Sequence, residues 1–221
     1  MHSHLLPNLD DGVKSFDESI AVIRKLKEYG YEKAVTTPHI MNDTYRNTPE
    51  GILHRLRELK EYLVANGVEF NIEAAAEYYL DEAMAQRFES GERLLTFGNR
   101  YLLFETNYIT EPYLLKEFVF KAITSGYKPI LAHPERYHFM TMEKAEELMD
   151  RGVLLQINLL SLSGYYGKPI QRLAEKMIEK RWVHFLGTDC HNPEHARLLR
   201  HAIQTKAFRK ALDLPLLNNT L

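Results

Sequence analysis

The sequence predicts an α/β protein built on parallel strands, and three observations carry this. A pattern of helix, glycine, short apolar run and polar loop recurs at least four times, which is the grammar of βα units. The apolar runs, such as Pro129-Ile130-Leu131-Ala132 and His184-Phe185-Leu186-Gly187, are nearly continuous, as expected of strands buried on both faces. Histidines and carboxylates gather where those runs end. About seven such strands suggest a closed barrel, with an open doubly wound sheet as its rival.

The elements follow in chain order. Ser15-Phe16-Asp17-Glu18 reads as a capping box opening an amphipathic helix that runs to Tyr29 and ends at Gly30. Lys33–Thr37 is a strand. Thr48-Pro49-Glu50 starts the next helix with proline at its first position, Gly67 ends it, and Glu69–Ala75 is a strand. Residues 101–105 form the next strand. A helix from about Pro112 to Ser125 ends at Gly126 and leads into a strand over 128–133. Met142–Arg151 and Gly152 lead into a strand over 153–158, and Lys168–Arg181 into a strand over 183–188. The first strand should precede His4, yet only Met1 precedes His2, so the expectation is that natural residues upstream are missing. No linker, low-complexity segment or Gly-rich phosphate loop interrupts the chain, which reads as one domain over 1–221.

Composition excludes several functions. The 221 residues are 45% hydrophobic and 26% charged, ordinary for a soluble globular protein with a real core. A formal net charge of −2 argues against wrapping nucleic acid or binding an anionic membrane. The single Cys190 excludes a disulfide framework and a thiolate-rich zinc site. No apolar run approaches the roughly 20 residues that span a bilayer, and no signal peptide is visible. The expected location is the cytoplasm.

In a βα barrel, chemistry sits where strands end. The first strand end offers His2 and His4, with Asp11 in the following loop. The others offer His39, Glu77, Glu105, His133 with Glu135 and Arg136, and Asp189 with His191; the sixth gives only Asn158. Imidazole and carboxylate without thiolate suit borderline divalent metals. Residues i and i+2 of a strand point the same way, so His2 and His4 can grip one ion, as can Asp189 and His191. An ionised Glu77 or Glu105 after a buried strand is costly unless it meets a cation. His54, His195 and His201 fall in predicted helices and are expected to face solvent. His184 opens a strand at the opposite end, and His138 is left open.

These residues resemble the set of the polymerase and histidinol phosphatase (PHP) superfamily. Within it the chain is most similar to the bacterial capsule-type protein tyrosine phosphatases, the CpsB/YwqE group. The resemblance is carried by His2-Ser3-His4-Leu5-Leu6-Pro7 leading to Asp10-Asp11-Gly12, by Thr37-Pro38-His39, by His133-Pro134-Glu135-Arg136-Tyr137 and by Asp189-Cys190-His191-Asn192. Two departures stand out: the first strand is largely absent, and Asn8 stands where the family usually has glycine. The resemblance implies a distorted (β/α)7 TIM-like barrel and about three metal ions, of manganese, iron or zinc. One ion would take His2, His4, Glu77 and Asp189, a second Glu77, Glu105 and His133, and a third Asp11, His39 and His191. Arg136 matches the family's phosphate-binding arginine, and Arg197 corresponds to a second, with its spacing from His191 off by one.

The function implied is hydrolysis of phosphotyrosine, with phosphate as product, on the tail of a bacterial tyrosine kinase governing capsule or exopolysaccharide export. Two ions sharing Glu77 would share a water and lower its pKa, giving hydroxide near neutral pH. Phenolate, with a parent pKa of about 10, leaves without a strong general acid. Tyr45, Arg46, Tyr165 and Tyr166 are candidates for the pocket mouth. Cys190 has Arg197 seven positions later and no intervening glycine, so it reads as a buried residue rather than the nucleophile of a cysteine-dependent phosphatase. The rivals are another PHP activity such as histidinol phosphate hydrolysis, a nuclease, an amidohydrolase, and a non-catalytic metal-binding domain.

Overall fold

The computed structural model describes residues 1–221, with every side chain except that of Glu89. The predicted succession of βα units is present, with further short helices and split strands: α1 (Phe16–Glu28), β1 (Lys33–Thr36), β2 (His39–Ile40), α2 (Pro49–Ala65), β3 (Asn71–Ala74), β4 (Glu77–Tyr79), α3 (Glu82–Glu89), β5 (Tyr101–Glu105), α4 (Leu115–Thr124), β6 (Lys128–Ala132), α5 (Met142–Asp150), β7 (Leu154–Asn158), α6 (Leu159–Leu162), α7 (Lys168–Glu179), β8 (Phe185–Gly187), α8 (Pro193–Ile203) and α9 (Lys206–Leu212). The Ser15 hydroxyl accepts the Glu18 amide at 3.2 Å, while the Glu18 carboxylate reaches the Lys14 amide at 2.7 Å rather than that of Ser15. The capping box is therefore half conventional. Glycines 30, 67, 126 and 152 follow the helices they were expected to end, each with positive φ.

All strand pairings are parallel, in a two-stranded sheet β1-β3 and a six-stranded sheet β2-β4-β5-β6-β7-β8. The single strands expected at 33–37 and 69–75 are each interrupted before reaching the site. Pro38 has no amide to donate, and the Ala76 amide goes to the Leu95 carbonyl instead of a neighbouring strand. Hydrogen bonds from Ala75 to Thr36 and from Glu77 to Pro38 still cross the gap. The strand expected before His4 is one parallel bridge, Ser3 to Cys190. Among the described residues no continuous ladder closes a barrel.

The sheet is buried on both faces, and its period of two sorts side chains between them. Leu102, Phe104, Leu131, Leu155, Ile157 and Leu186 pack outward with the helices in the main core. Tyr101, Leu103, Ile130, Ala132 and Phe185 point the other way, into a smaller apolar cluster with Val35, Ala75 and Phe97. On this inner face the character changes along each strand: Tyr101 and Leu103 give way to Glu105, Leu154 to Gln156 and Asn158, and Phe185 to Gly187 and Asp189. The amino ends of the strands are plugged with apolar side chains, and the carboxyl ends carry polar ones.

Candidate metal centre

The nine predicted donors, His2, His4, Asp11, His39, Glu77, Glu105, His133, Asp189 and His191, converge at those carboxyl ends. They cluster in four overlapping groups: His4, Asp11, His39 and His191; His2, His133 and Asp189; His2, His4 and Glu77; and His39, Glu77 and Glu105. Glu77 is the hub. Its Oε2 lies 3.0 Å from His2 Nε2, 3.3 Å from His4 Nε2 and 3.4 Å from His39 Nδ1, and its Oε1 lies 3.3 Å from His133 Nε2. Asp189 Oδ1 stands 3.2 Å from His2 Nε2 and 3.3 Å from His4 Nε2. His39 Nδ1 is 3.2 Å from Glu105, and Asp11 lies 3.6 Å from His39 and 3.5 Å from His191.

The imidazoles are oriented from behind. His2 Nδ1 sits 2.6 Å from the Gln156 amide oxygen, which can only accept, so Nδ1 carries a hydrogen and, in the neutral ring, Nε2 is the nitrogen with the lone pair. His4 Nδ1 donates to Asp10 at 2.7 Å, and His191 Nδ1 to the Asp189 carbonyl at 2.9 Å. Such outer partners are what fix a metal-binding histidine's tautomer. Gln156 also donates to Asn158, and Asn158 to Asp189 at 2.6 Å. A buried polar chain thus joins His2 to Asp189 from behind. It requires close approach: a Cβ on Gly187 would lie 2.4 Å from Gln156 Nε2 and 3.0 Å from His2 Cβ.

The residues present fit metal ions on three counts. Donors about 2.1 Å from one ion at a tetrahedral angle lie about 3.4 Å apart, and the Nε2 atoms of His2 and His4 are 3.4 Å apart. Glu77 Oε1, His39 Nδ1 and His133 Nδ1 are buried without a hydrogen bond, a cost that coordination by Glu77 Oε1 would remove for that atom. The field also calls for cations. Burial opposes a charge on His2, yet Glu77 and Asp189 outweigh it and raise its pKa to about 10. Glu77 and Asp189 are themselves driven well below the usual carboxylate range by the histidines, against their burial. Backbone strain is concentrated here too: His2, His133 and Asp189 have φ of 63°, 35° and 48°. Such conformations cost side-chain-bearing residues on the order of 1–3 kcal/mol each and cluster at functional sites.

A cavity of about 470 Å3 opens above the cluster. Arg136 lines it, with Nη1 3.0 Å from Asp189 Oδ2. Tyr45, Tyr165 and Tyr166 line it as expected, joined by Met41, Tyr108 and His195. Arg46 instead donates to the Asn42 carbonyl at an exposed position. Two expectations are corrected. Arg197 is not a wall of the cavity; its guanidinium pairs with Glu194 on the exposed side of α8. His195, expected to face solvent, lines the cavity, 3.2 Å from the Tyr165 hydroxyl. Residues two apart on a helix project about 200° apart, so His195 turned inward leaves Arg197 turned outward. Cys190 is buried, and burial pushes its thiol up to about 12.

The fold and the donor set define the class: a parallel α/β protein with a candidate metal centre at the carboxyl ends of its strands. Residues 1–209 match the family described as capsular polysaccharide synthesis, CpsB/CapC, and the chain belongs to that family. Among its relatives, a putative tyrosine-protein phosphatase CapC from Staphylococcus aureus is 30% identical over 227 residues, covering all of this chain and 89% of that protein. The tyrosine-protein phosphatase YwqE of Bacillus subtilis (strain 168) is 26% identical, covering 87% of this chain and 76% of its own length. A solved structure described with YwqE and Streptococcus pneumoniae CpsB as unique metal-dependent tyrosine phosphatases matches with a TM-score of 0.80 at 23% identity, over 97% of this chain and 94% of that one. That likeness shows the fold.

Proposed function

We propose that this protein is a metal-dependent protein tyrosine phosphatase, acting on the phosphorylated tail of a bacterial tyrosine kinase in capsule or exopolysaccharide regulation. The observation that carries the reading is the meeting of His2 and His4 with Glu77 and Asp189 at 3.0–3.3 Å, below a cavity lined by an arginine and several tyrosines. His2, His4, Glu77 and Asp189 would hold one ion, Glu77, Glu105 and His133 a second, and Asp11, His39 and His191 a third. Overlap of the donor groups at Glu77 supports its use as a bridge. Bound ions of manganese, iron or zinc would supply Lewis-acid stabilisation of the phosphoryl oxygens and lower the pKa of water.

The chain's own residues supply the rest. Arg136 presents a planar fork suited to two non-bridging phosphate oxygens, and Asp189, itself held by Asn158, keeps that fork in place. Tyr45 and Tyr165 line the mouth, where aromatic surface would meet an entering phenyl group. No residue is assigned as general acid, because phenolate leaves readily with a parent pKa of about 10. Cys190, buried and protonated, takes no part.

The same reading treats residues 1–221 as one domain and the two sheets as one distorted (β/α)7 barrel. In support, Ser3 lies between the last and first strands: the Thr37 amide donates to its carbonyl at 2.7 Å, and Ser3 bridges Cys190. No described helix is long and apolar enough to cross a membrane.

The test compares turnover of a phosphotyrosine peptide, a phosphoserine peptide and histidinol phosphate, each with a chelator or a thiol alkylator. Preference for phosphotyrosine, abolished by the chelator alone, is the expected result. Preference for histidinol phosphate would move the protein to a small-molecule phosphatase, and inactivation by the alkylator alone would overturn the metal mechanism.

A further inference from the structure

The walls of the cavity are not independent side chains. From His133 the ring of Tyr108 stacks at 5.9 Å, and Arg136 follows with its guanidinium carbon 4.9 Å from the Tyr108 centroid. Arg136 also lies 4.3 Å from the Tyr166 centroid, and Tyr166 meets Tyr165 edge to face at 4.9 Å. The arginine is thus covered by two tyrosine rings contributed by separate loops, after β5 and after α6. Its in-plane edge is tied at one nitrogen to Asp189. Its side chain is only 21% exposed.

We propose that Tyr108 and Tyr166 are positioning residues that clamp the Arg136 guanidinium, holding its free edge toward the phosphoryl group. This rests on the phosphatase reading above. An arginine side chain is rich in rotamer freedom, which a substrate would otherwise have to remove on binding. Contact with two rings limits the guanidinium's swing, and the pairing with Asp189 fixes one of its nitrogens. The rings need not touch substrate to act. Removing either should leave a chain that folds and binds metal but fails to align Arg136. A cation over a partly desolvated ring is worth up to about 2 kcal/mol, which corresponds to a loss of up to about 30-fold.

The decisive experiment is a double-mutant cycle on the metal-loaded protein. Tyr166→Leu, Tyr166→Phe and Tyr108→Leu are each made in the parent and in an Arg136→Ala background. Two readouts are used: kcat/KM for a phosphotyrosine peptide, and the affinity of inorganic phosphate by calorimetry. The expected result is a loss of about 5- to 30-fold in kcat/KM for each leucine variant, with near-complete rescue in Tyr166→Phe, which keeps the ring face. In the Arg136→Ala background the leucine substitutions should cause no further loss. Equal losses in both backgrounds, or no rescue by phenylalanine, would overturn the clamp. Phosphate affinity separates this failure from that of the phosphatase reading. If the parent turned over no phosphotyrosine, a phosphate affinity that falls on Tyr166→Leu only when Arg136 is present would still support the clamp, and one independent of Arg136 would sink it.

Discussion

The two ends of the inner strand face make opposite use of the same backbone. At the amino ends Phe97, Tyr101 and Phe185 pack edge to face or tilted at 5.2–6.0 Å, with no carboxylate, imidazole, ammonium or guanidinium among the cluster's buried members. At the carboxyl ends, two or four residues further along, the side chains are Glu105, Gln156, Asn158 and Asp189, and three of the donors have positive φ. The histidines show the contrast best. His184, at the amino end of its strand, accepts one amide hydrogen from Leu155 at 3.1 Å, and burial lowers its pKa. His2 is fully cut off from water, where His184 is only half-buried, yet Glu77 and Asp189 raise its pKa to about 10. Burial alone makes a histidine neutral; burial among carboxylates makes a place for cations. One end of the sheet holds the fold together, and the other carries backbone strain and buried polar atoms left without a hydrogen bond.

Substitutions at the two ends should separate activity from stability. The largest effect is expected at the hub. Glu77→Ala removes the group proposed to serve two ions, and transition-state stabilisation worth several kcal/mol corresponds to at least about a hundredfold in turnover. Circular dichroism should show the fold retained, whereas turnover within tenfold of the parent would break the contrast. Phe185→Ala, at the apolar end, should cost about 3–5 kcal/mol of stability in denaturant melts. The surviving folded fraction should keep its kcat; a specific kcat loss would mean the plug also shapes the site.

A smaller effect concerns the metal-free protein. His2 has a folded pKa near 10 against about 6.5 unfolded. Its contribution is full below about pH 6.5 and is lost as pH rises through about 10. Denaturant melts of metal-free protein, minus those of a His2→Gln variant, should therefore show stability falling across that window. A flat difference would mean that the carboxylates are not shared as described. The smallest effect is expected from Arg197→Ala, under about twofold in kcat/KM, since an exposed pair with Glu194 contributes little. A large loss would restore Arg197 as a phosphate ligand.

Much of the site could be read from the residues, and the reason is geometric. Strand ends meet in space, so listing what each apolar run ends with assembled the nine donors without coordinates. The less visible parts obey other rules. Asp10 and Gln156 act by orienting imidazoles, and nothing in residue type separates an orienting amide from a core one. The breaks at Pro38 and Ala76 depend on where one amide finds its acceptor. Arg197 follows from the family resemblance alone, with its spacing from His191 off by one, but on α8 the helical rotation decides which side chain turns inward, and it selects His195.

The most direct test of the whole account is metal removal and return. Protein as purified should contain about three ions per chain, in line with the overlapping donor groups. Dialysis against a chelator should abolish phosphotyrosine hydrolysis, and manganese, iron or zinc should restore it in proportion to metal bound, while Glu77→Ala should take up less metal and recover nothing. Full activity in protein shown to be free of metal would contradict the account.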